Sequence, residues 1–385
     1  MIKMNKVKAF LKKELMLTIS AAAAVAAMFI TPPSKRLLSD IDWRTLATLL
    51  MMLCVLEGFK QENVLRPVVS LASKLKKMTS ISLFLIFGVF FTSMFVTNDV
   101  SLIIFVPLTI MIFRSAGKEK YILPVISMEN IAAIRGSLLM PFGSPQNLFL
   151  YGQSGTSAKN FILHMLPLNV MSAVLLVVFV LVLYRKDLGE TIVIDTEKTS
   201  SQWLPEGRVK RIAYGILFLF VIGVIVTRTQ YWYIALVIVL GVIGIVDRGL
   251  FRKVDYVLLF TFLCFFIFSS SIAANKGISE FLGKAVSGSE YWWAIGLSQL
   301  ISNVPASIVL YPFTTNFAGL IYGADTAGLV SLIGSLASVI NYRIYVREYP
   351  GQGGKFVKVF TLVSWAFFII VVIPGMLLSR WNFFG

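Results

Sequence analysis

A chain of 385 residues that is 57% hydrophobic and only 14% charged is neither disordered nor an ordinary soluble domain; soluble domains run to roughly half apolar and about a quarter charged. Apolar segments of membrane-spanning length recur from end to end, which predicts an all-α polytopic membrane protein and excludes a porin-type barrel of short alternating strands. The formal net charge of +16 would suit nucleic acid as a partner, but its distribution argues against that: with the N-terminus placed in the cytoplasm, roughly three-quarters of the Lys and Arg fall in segments predicted to face inside.

The basic balance therefore reports topology. It predicts a multi-pass protein of the cytoplasmic membrane, with the N-terminus in the cytoplasm, the C-terminus outside and the lipid bilayer as its surroundings. Helices are expected at about 15–31, 43–58, 121–152, 161–184, 211–227, 231–247, 255–273, 326–348 and 358–378. The opening "MIKMNKVKAFLKKELMLTISAAAAVAAM" has the basic start, apolar run and small residues of a signal peptide. It is read as a first helix that stays, because the internal repeat uses it.

Two stretches need separate treatment. Residues 80–113 are too long for one helix and too short for two spans with a loop, and cytoplasmic-type charge flanks both ends, "KLKKMTS" before and "RSAGKEK" after. A re-entrant hairpin fits, with its tip at Thr97-Asn98-Asp99. Residues 290–320 have the same form, with the tip at Ser302-Asn303, and the helix count puts this hairpin on the outside face. "TNDVSLIIFVPLT" and "SNVPASIVLYPFT" align over Asn98 and Asn303, Pro107 and Pro312, Thr109 and Thr314. Two such hairpins entering from opposite sides are what inverted-topology repeats produce.

Other pieces follow in the same order. "GSPQNLFLY" (143–151) aligns with "GSLASVINY" (334–342), and "IDWRTLATLLMMLC" (41–54) with "KVDYVLLFTFLC" (253–264). An amphipathic arm precedes each hairpin, at 64–75 and 278–286. The organisation is then repeat 1 over 1–184, with hairpin 80–113 and a broken helix over 121–152. A cytoplasmic linker and an unpaired crossing helix occupy 185–230. Repeat 2 covers 231–385, with hairpin 290–320 and a broken helix over 326–348.

The breaks are where chemistry is expected. Non-helical backbone at membrane depth survives only inside protein or beside water. Pro141, Gly143 and Pro145 interrupt the first broken helix, and Gly334, Ser335, Ser338 and Asn341 loosen the second. Half-helix N-termini favour an anion, while C-terminal carbonyls and Asn, Ser and Thr oxygens suit a small hard cation. An acid within the membrane, Asp99, is a proton or cation site by default. Arg135 is either a fixed positive charge facing an anion or a partner of Glu129 or Asp99. Glu57 and Glu129 are read as structural.

Cys54 and Cys264 imply no disulfide framework, and the single His164 allows no histidine cluster. No HExxH, GxSxG or P-loop occurs, so neither an enzyme nor built-in ATP hydrolysis is expected.

The segments "TNDVSLIIFVPLTI", "GSPQNLFLYG" and "SQLISNVPASIVLYPFT" resemble signature segments of the ion transporter superfamily, in its citrate-transporter-like and arsenite-permease-like branch. The resemblance covers almost the whole chain in order. It implies inverted repeats with two re-entrant hairpins and two broken helices, forming a homodimeric elevator-type transporter that carries anions with Na⁺ or H⁺. In the related divalent-anion/sodium symporters each tip reads Ser-Asn-Thr. Thr97, Asn98 and Asp99 match the first tip, and Ser302, Asn303 and Val304 the second. Both third positions depart: Asp99 adds a charge and Val304 removes a hydroxyl. The acid is more like the arsenite-permease and Na⁺/H⁺-antiporter branches.

The expected substrate contacts are Asn98, Arg135, Gly143, Ser144, Gln146, Asn147, Ser302, Asn303, Ser335 and Ser338. The expected coupling residues are Thr97, Asn98, Asp99, Ser302 and Asn303. The function expected is secondary active transport of a small anion, a di- or tricarboxylate such as citrate or an inorganic oxyanion. The alternative is a Na⁺/H⁺ antiporter or arsenite efflux permease using Asp99. No cofactor is expected beyond the coupling Na⁺ or H⁺, and no other metal.

Overall fold

The structure, a computed structural model, describes residues 15–31, 41–64, 75–186, 191 and 207–381. Sixteen α-helices account for nearly all of them. In chain order they are α1 (Leu15–Ile30), α2 (Trp43–Gln61), α3 (Met78–Val96), α4 (Asn98–Ser115), α5 (Ile122–Ser137), α6 (Pro145–Ser154), α7 (Ala158–Leu183) and α8 (Arg208–Thr227). They continue with α9 (Trp232–Val246), α10 (Tyr256–Ala274), α11 (Lys276–Val286), α12 (Glu290–Ile301), α13 (Asn303–Leu310), α14 (Phe317–Ala327), α15 (Leu336–Glu348) and α16 (Gly353–Ser379).

Helices α3, α4, α7, α8, α10 and α16 are long and apolar enough to cross a membrane, and α1 and α9 are apolar but shorter. The outer surface is correspondingly apolar. Val174, Ile216, Leu219, Val237, Leu362 and Ile369 are all more than half exposed on it, as expected where lipid is the solvent. The chain is thus a multi-pass helical membrane protein.

Two groups of helices organise the molecule. In one, α1 lies along α10, while α2 is packed by α8 and α9. In the other, α5 is enclosed by α3, α4, α7, α15 and α16, and α14 is enclosed by α12, α13, α16 and α6. Close approach is made possible by missing side chains. A Cβ at Gly136 would stand 2.0 Å from the Phe90 carbonyl oxygen, and one at Gly323 would stand 2.5 Å from that of Tyr291.

The first hairpin folds as an antiparallel pair, α3 and α4, joined at Thr97 alone. Thr92 donates to Ser101 Oγ at 2.9 Å across the pair. The second hairpin is shorter than expected. It consists of α12, α13 and a 3₁₀ turn at Tyr311–Phe313, and the residues from Phe317 onward belong to the next helix. The second broken helix therefore begins at Phe317 instead of 326, and its break spans 328–335. Glu290 explains the early end: it accepts from Thr314 at 3.0 Å, while Asn316 caps α14 through Gly319 N. The first break, expected at 141–147, lies at 138–144, because Pro145 occupies the first turn of α6 under a Ser144 cap. The arm at 64–75 lies almost wholly outside the described residues, as does most of the linker. The arm at 278–286 is α11, with Ile278 and Leu282 packed on the core and Phe281 exposed.

Four corresponding points carry the same local geometry. Thr97 (φ 69°, ψ 157°) and Ser302 (φ 70°, ψ 160°) turn the two hairpins in a region that L-residues rarely occupy. Ser144 and Ser335 precede the second half-helices in extended backbone. Asp42 and Asp255 cap α2 and α10 with matching torsions, φ −76° and −77° with ψ 81° in both. Finally, a Cβ at Gly143 or at Gly334 would stand 2.2 Å from a main-chain oxygen, of Ser137 or of Ala327.

Those two glycines are required for the backbone to fold back on the preceding half-helix. Gly143→Ala and Gly334→Ala are each expected to cost about 1–3 kcal/mol, since the neighbour is rigid main chain. Gly241→Ala, in open space within α9, should leave the melting temperature of the detergent-purified protein unchanged or slightly raised. Equal melting temperatures for all three variants would contradict this account.

Candidate functional site

The four breaks in regular structure expose backbone groups inside the protein, and polar side chains answer them. At the end of α5, Asn147 Nδ2 donates to the carbonyls of Ser137, Leu138 and Met140 at 3.1–3.4 Å. At the end of α14, Gln299 Nε2 donates to the Ala327 carbonyl at 3.2 Å, and Ser331 holds Gln299 Oε1 at 2.7 Å. Each device meets the requirement that carbonyls at a helix terminus find partners.

The hairpin tips repeat a second device. The Thr97 carbonyl accepts from Ser101 N and Oγ, and the Ser302 carbonyl accepts from Ala306 N. Asn98 Oδ1 accepts from Asp99 N at 2.9 Å. The second arm of each hairpin then packs on the second half-helix of the other half of the chain, α4 against α15 and α13 against α6. Four helix N-termini consequently lie at the breaks: those of α4, α6, α13 and α15.

Of the expected site residues, Asn98, Arg135, Ser144, Gln146, Asn147, Ser302, Asn303, Ser335 and Ser338 are buried. Thr97 and Asp99 are half-buried. Ser338 accepts from Asn130 Nδ2 at 3.0 Å, and Asn341 donates to the Ile126 carbonyl at 2.7 Å, so α5 and α15 are stitched together by amides.

Arg135 makes no hydrogen bond or ion pair to a tip residue among those described. It is completely buried and pairs through Nη1 with Asp325 of α14, while Nη2 donates to Thr326 at 3.3 Å. Neither acid considered in the sequence, Glu129 or Asp99, is its partner. Glu129 is instead buried and bonded to the Thr109 hydroxyl. The main chain beside Arg135 is fixed as well, with Asn169 donating to its carbonyl at 2.7 Å.

Residual valence is of both kinds: Arg135 Nε is a buried donor without a hydrogen-bond partner, and several acceptors are in the same position. Asp99 Oδ1, Glu129 Oε2, Asn130 Oδ1, Asn147 Oδ1 and Asn341 Oδ1 are buried acceptors with no hydrogen-bond partner. Spare acceptors in the interior have the chemistry that receives a proton or a small cation. Among the described residues no group of three or more His, Cys, Asp or Glu could hold a metal ion.

Asp325, Thr326, Asn130, Asn169, Gln299 and Glu290 were not singled out in the sequence. Asp325 alone carried a visible signal, an acid within the apolar run "GLIYGADTAGLV".

Removing one member of a buried pair leaves an uncompensated charge, which costs about 3–5 kcal/mol. Arg135→Met and Asp325→Leu are each expected to lower the melting temperature of the purified protein sharply. The double variant is expected to recover most of the loss, because the two effects are coupled. Additive losses in that double-mutant cycle would show that the pair does not hold the two half-helices together.

The chain has relatives consistent with this architecture. A family model described as "Citrate transporter" matches residues 7–334. The inner membrane protein YbiR of Escherichia coli K12 is 29% identical over 308 residues, covering 79% of this chain and 80% of that protein. An uncharacterized transporter of Methanocaldococcus jannaschii, MJ0456, is 30% identical over 305 residues, covering 79% of this chain and 81% of that one. A match that spans most of the chain, on a bundle of membrane-length helices interrupted at four buried breaks, means that this protein belongs to the citrate transporter family.

Proposed function

We propose that the protein is a secondary active transporter that moves a small anion across the cytoplasmic membrane. The anion is a di- or tricarboxylate such as citrate, or an inorganic oxyanion, and its movement is coupled to Na⁺ or H⁺. One observation carries this reading. The two hairpin tips share one unusual backbone conformation, and each hairpin's second arm packs on the other half's broken helix. Four N-termini then supply positive dipole ends for an anion, while the spare acceptor oxygens nearby suit the coupling cation.

Inverted-topology repeats account for the paired torsions at Thr97 and Ser302, at Ser144 and Ser335, and at Asp42 and Asp255. Re-entrance is supported by length in the second hairpin. Its arms of 12 and 8 residues reach about 18 Å and 12 Å at 1.5 Å per residue, against a hydrocarbon core of about 30 Å. In the first hairpin each arm could cross by length, so burial of the tip carries the argument. With that symmetry the transporter works as a homodimeric elevator, with the N-terminus inside and the C-terminus outside. The anion contacts are Asn98, Gly143, Ser144, Gln146, Asn147, Ser302, Asn303, Ser335 and Ser338. The coupling site comprises Thr97, Asn98, Asp99, Ser302 and Asn303.

A second reading rests on Arg135. Because Asp325 neutralises it, Arg135 offers an anion no free charge, and Asp99 gains weight as the working group of a cation/proton antiporter. Uptake into proteoliposomes separates the two. Citrate, succinate, sulfate and arsenite are each supplied under a Na⁺ gradient and, separately, under a pH gradient. Accumulation of one of these anions under one gradient is expected. Asn98→Ala and Asn303→Ala are expected to weaken cation dependence at least severalfold, and Asp99→Asn to abolish it while anion exchange persists. Gradient-driven Na⁺/H⁺ exchange with no anion uptake would select the antiporter.

A further inference from the structure

One end of the bundle gathers the N-terminus of α2 with the C-terminal ends of α6 and α8. There a cavity of about 200 Å³ is lined by Asp42, Arg44, Thr45, Thr48, Gln153 and Arg228, among others. It belongs to neither hairpin tip and neither helix break. Its volume suits a ligand of a few heavy atoms, smaller than the ~300–1,000 Å³ typical of drug-sized sites.

The charges around it are unbalanced. Asp42 is occupied by its own helix and by α6: it accepts from Thr45 N at 2.9 Å, from the Thr45 hydroxyl at 2.5 Å and from Gln153 Nε2 at 2.6 Å. The Arg44 guanidinium has no hydrogen-bond or ion-pair partner among the described residues. Arg228 stacks on the Tyr151 ring at 4.0 Å and donates Nη2 to the Tyr151 carbonyl, yet its Nε is buried without a partner. Burial, and then the like charge of Arg44, hold its guanidinium below the ordinary value. Its backbone is left-handed (φ 48°, ψ 41°) at the C-cap of α8, a conformation that costs energy in a non-glycine residue and persists where the surroundings impose it.

Two arginines therefore face one small cavity with unused donors, and the one acid present is already saturated. The N-terminus of α2 adds its positive dipole end. The hydroxyls of Thr45 and Thr48 already donate elsewhere, so the guanidinium N–H groups are the donors left for a ligand. Planar forks of this kind match carboxylate and other oxyanions.

We propose that this cavity is a second anion site, separate from the helix breaks, that takes a small free carboxylate or inorganic oxyanion between Arg44 and Arg228. It does not rest on the transport reading, because occupancy there requires no movement of the protein. Where the α2 end faces outside, as the distribution of basic residues implies, the site collects the anion at the outer mouth.

The test is a binding assay that needs no turnover. Gly152 lines the cavity and is exposed, and a Cβ there would meet only Thr45 Oγ1, at an ordinary 3.5 Å. A Gly152→Cys variant, with Cys54 and Cys264 changed to Ala, is placed in nanodiscs of neutral phosphatidylcholine. Its labelling by a small charged thiol reagent is timed with citrate, phosphate or chloride at matched ionic strength. Citrate or phosphate is expected to slow labelling and chloride to leave it unchanged. Arg44→Gln should raise the anion concentration giving half-protection by about tenfold, the loss of one charge-assisted contact. Its melting temperature should hold, since that guanidinium bonds to none of the described residues, and Arg44→Lys should keep part of the protection. Asn303→Ala, which alters the hairpin tip, should leave protection intact. Absence of protection by either anion overturns the proposal. So does protection lost in Asn303→Ala but kept in Arg44→Gln. Protection seen only in nanodiscs containing phosphatidylglycerol, with no free anion added, overturns it in favour of a lipid headgroup.

Discussion

Backbone satisfaction is the constraint on which the rest of this structure depends. A helix that stops inside a membrane protein leaves carbonyl and amide groups that cannot turn to water. Here α5 stops at Ser137 and α14 at Ala327, and in each case an amide side chain ties the loose carbonyls. The source of that amide differs. Asn147 comes from the half-helix that follows the break, whereas Gln299 comes from the first arm of the hairpin. Related positions thus solve one problem with different residues, which is why overlaying the two halves by sequence identifies the breaks but not their fastenings.

The same constraint explains the Arg135–Asp325 pair. Both residues sit within the last turn of a half-helix that ends at a break. A guanidinium there complements the negative end of the helix dipole, and a carboxylate one helix away neutralises it. With Asn130–Ser338, Asn341–Ile126 and Asn169–Arg135, the pair forms a set of polar links across the apolar bundle. Such links are costly to leave half-made, so they favour one arrangement of α5, α7, α14 and α15 over neighbouring ones that hydrophobic packing alone would tolerate.

Much of the architecture was legible in the sequence for physical reasons. Segments of membrane length, Pro and Gly interruptions and the polar tips at Thr97-Asn98 and Ser302-Asn303 are local signals, and the helices they predicted are present except over 326–348, where the break falls at 328–335 and Ser338 and Asn341 lie in regular helix. The boundary at Phe317 was missed, because the cap at Asn316 and the anchor at Glu290 act across the hairpin, 26 residues apart in the chain. The partner of Arg135 was missed for a similar reason, since Asp325 is 190 residues away. The rule that flagged Asp99, an acid within an apolar run, applied equally to Asp325. Arg44 and Arg228 escaped notice because each stands alone at a helix end, where a basic residue needs no explanation. Only the fold places them against one cavity.

That placement bears on how an anion could be handled by a chain whose interior holds so little free positive charge. Among the described residues the one fully buried arginine has its charge neutralised by Asp325, only its Nε being left without a partner, and the other polar atoms left over around the breaks are mostly acceptors. Helix N-termini can hold an anion there, but each contributes only about half an elementary charge. A bound cation would supply the rest, making anion affinity at the breaks depend on the coupling ion. The cavity at the end of α2 is arranged the opposite way, with whole charges, a saturated acid and no need of a co-ion. On the proposed reading, a division of labour follows from this contrast. Whole charges near water would attract an anion at modest desolvation cost, whereas partial charges in the interior would hold it only when the ion accompanying it is present. Coupling would then depend on that second condition, because an interior that bound the anion unaided would let it pass without its driving ion.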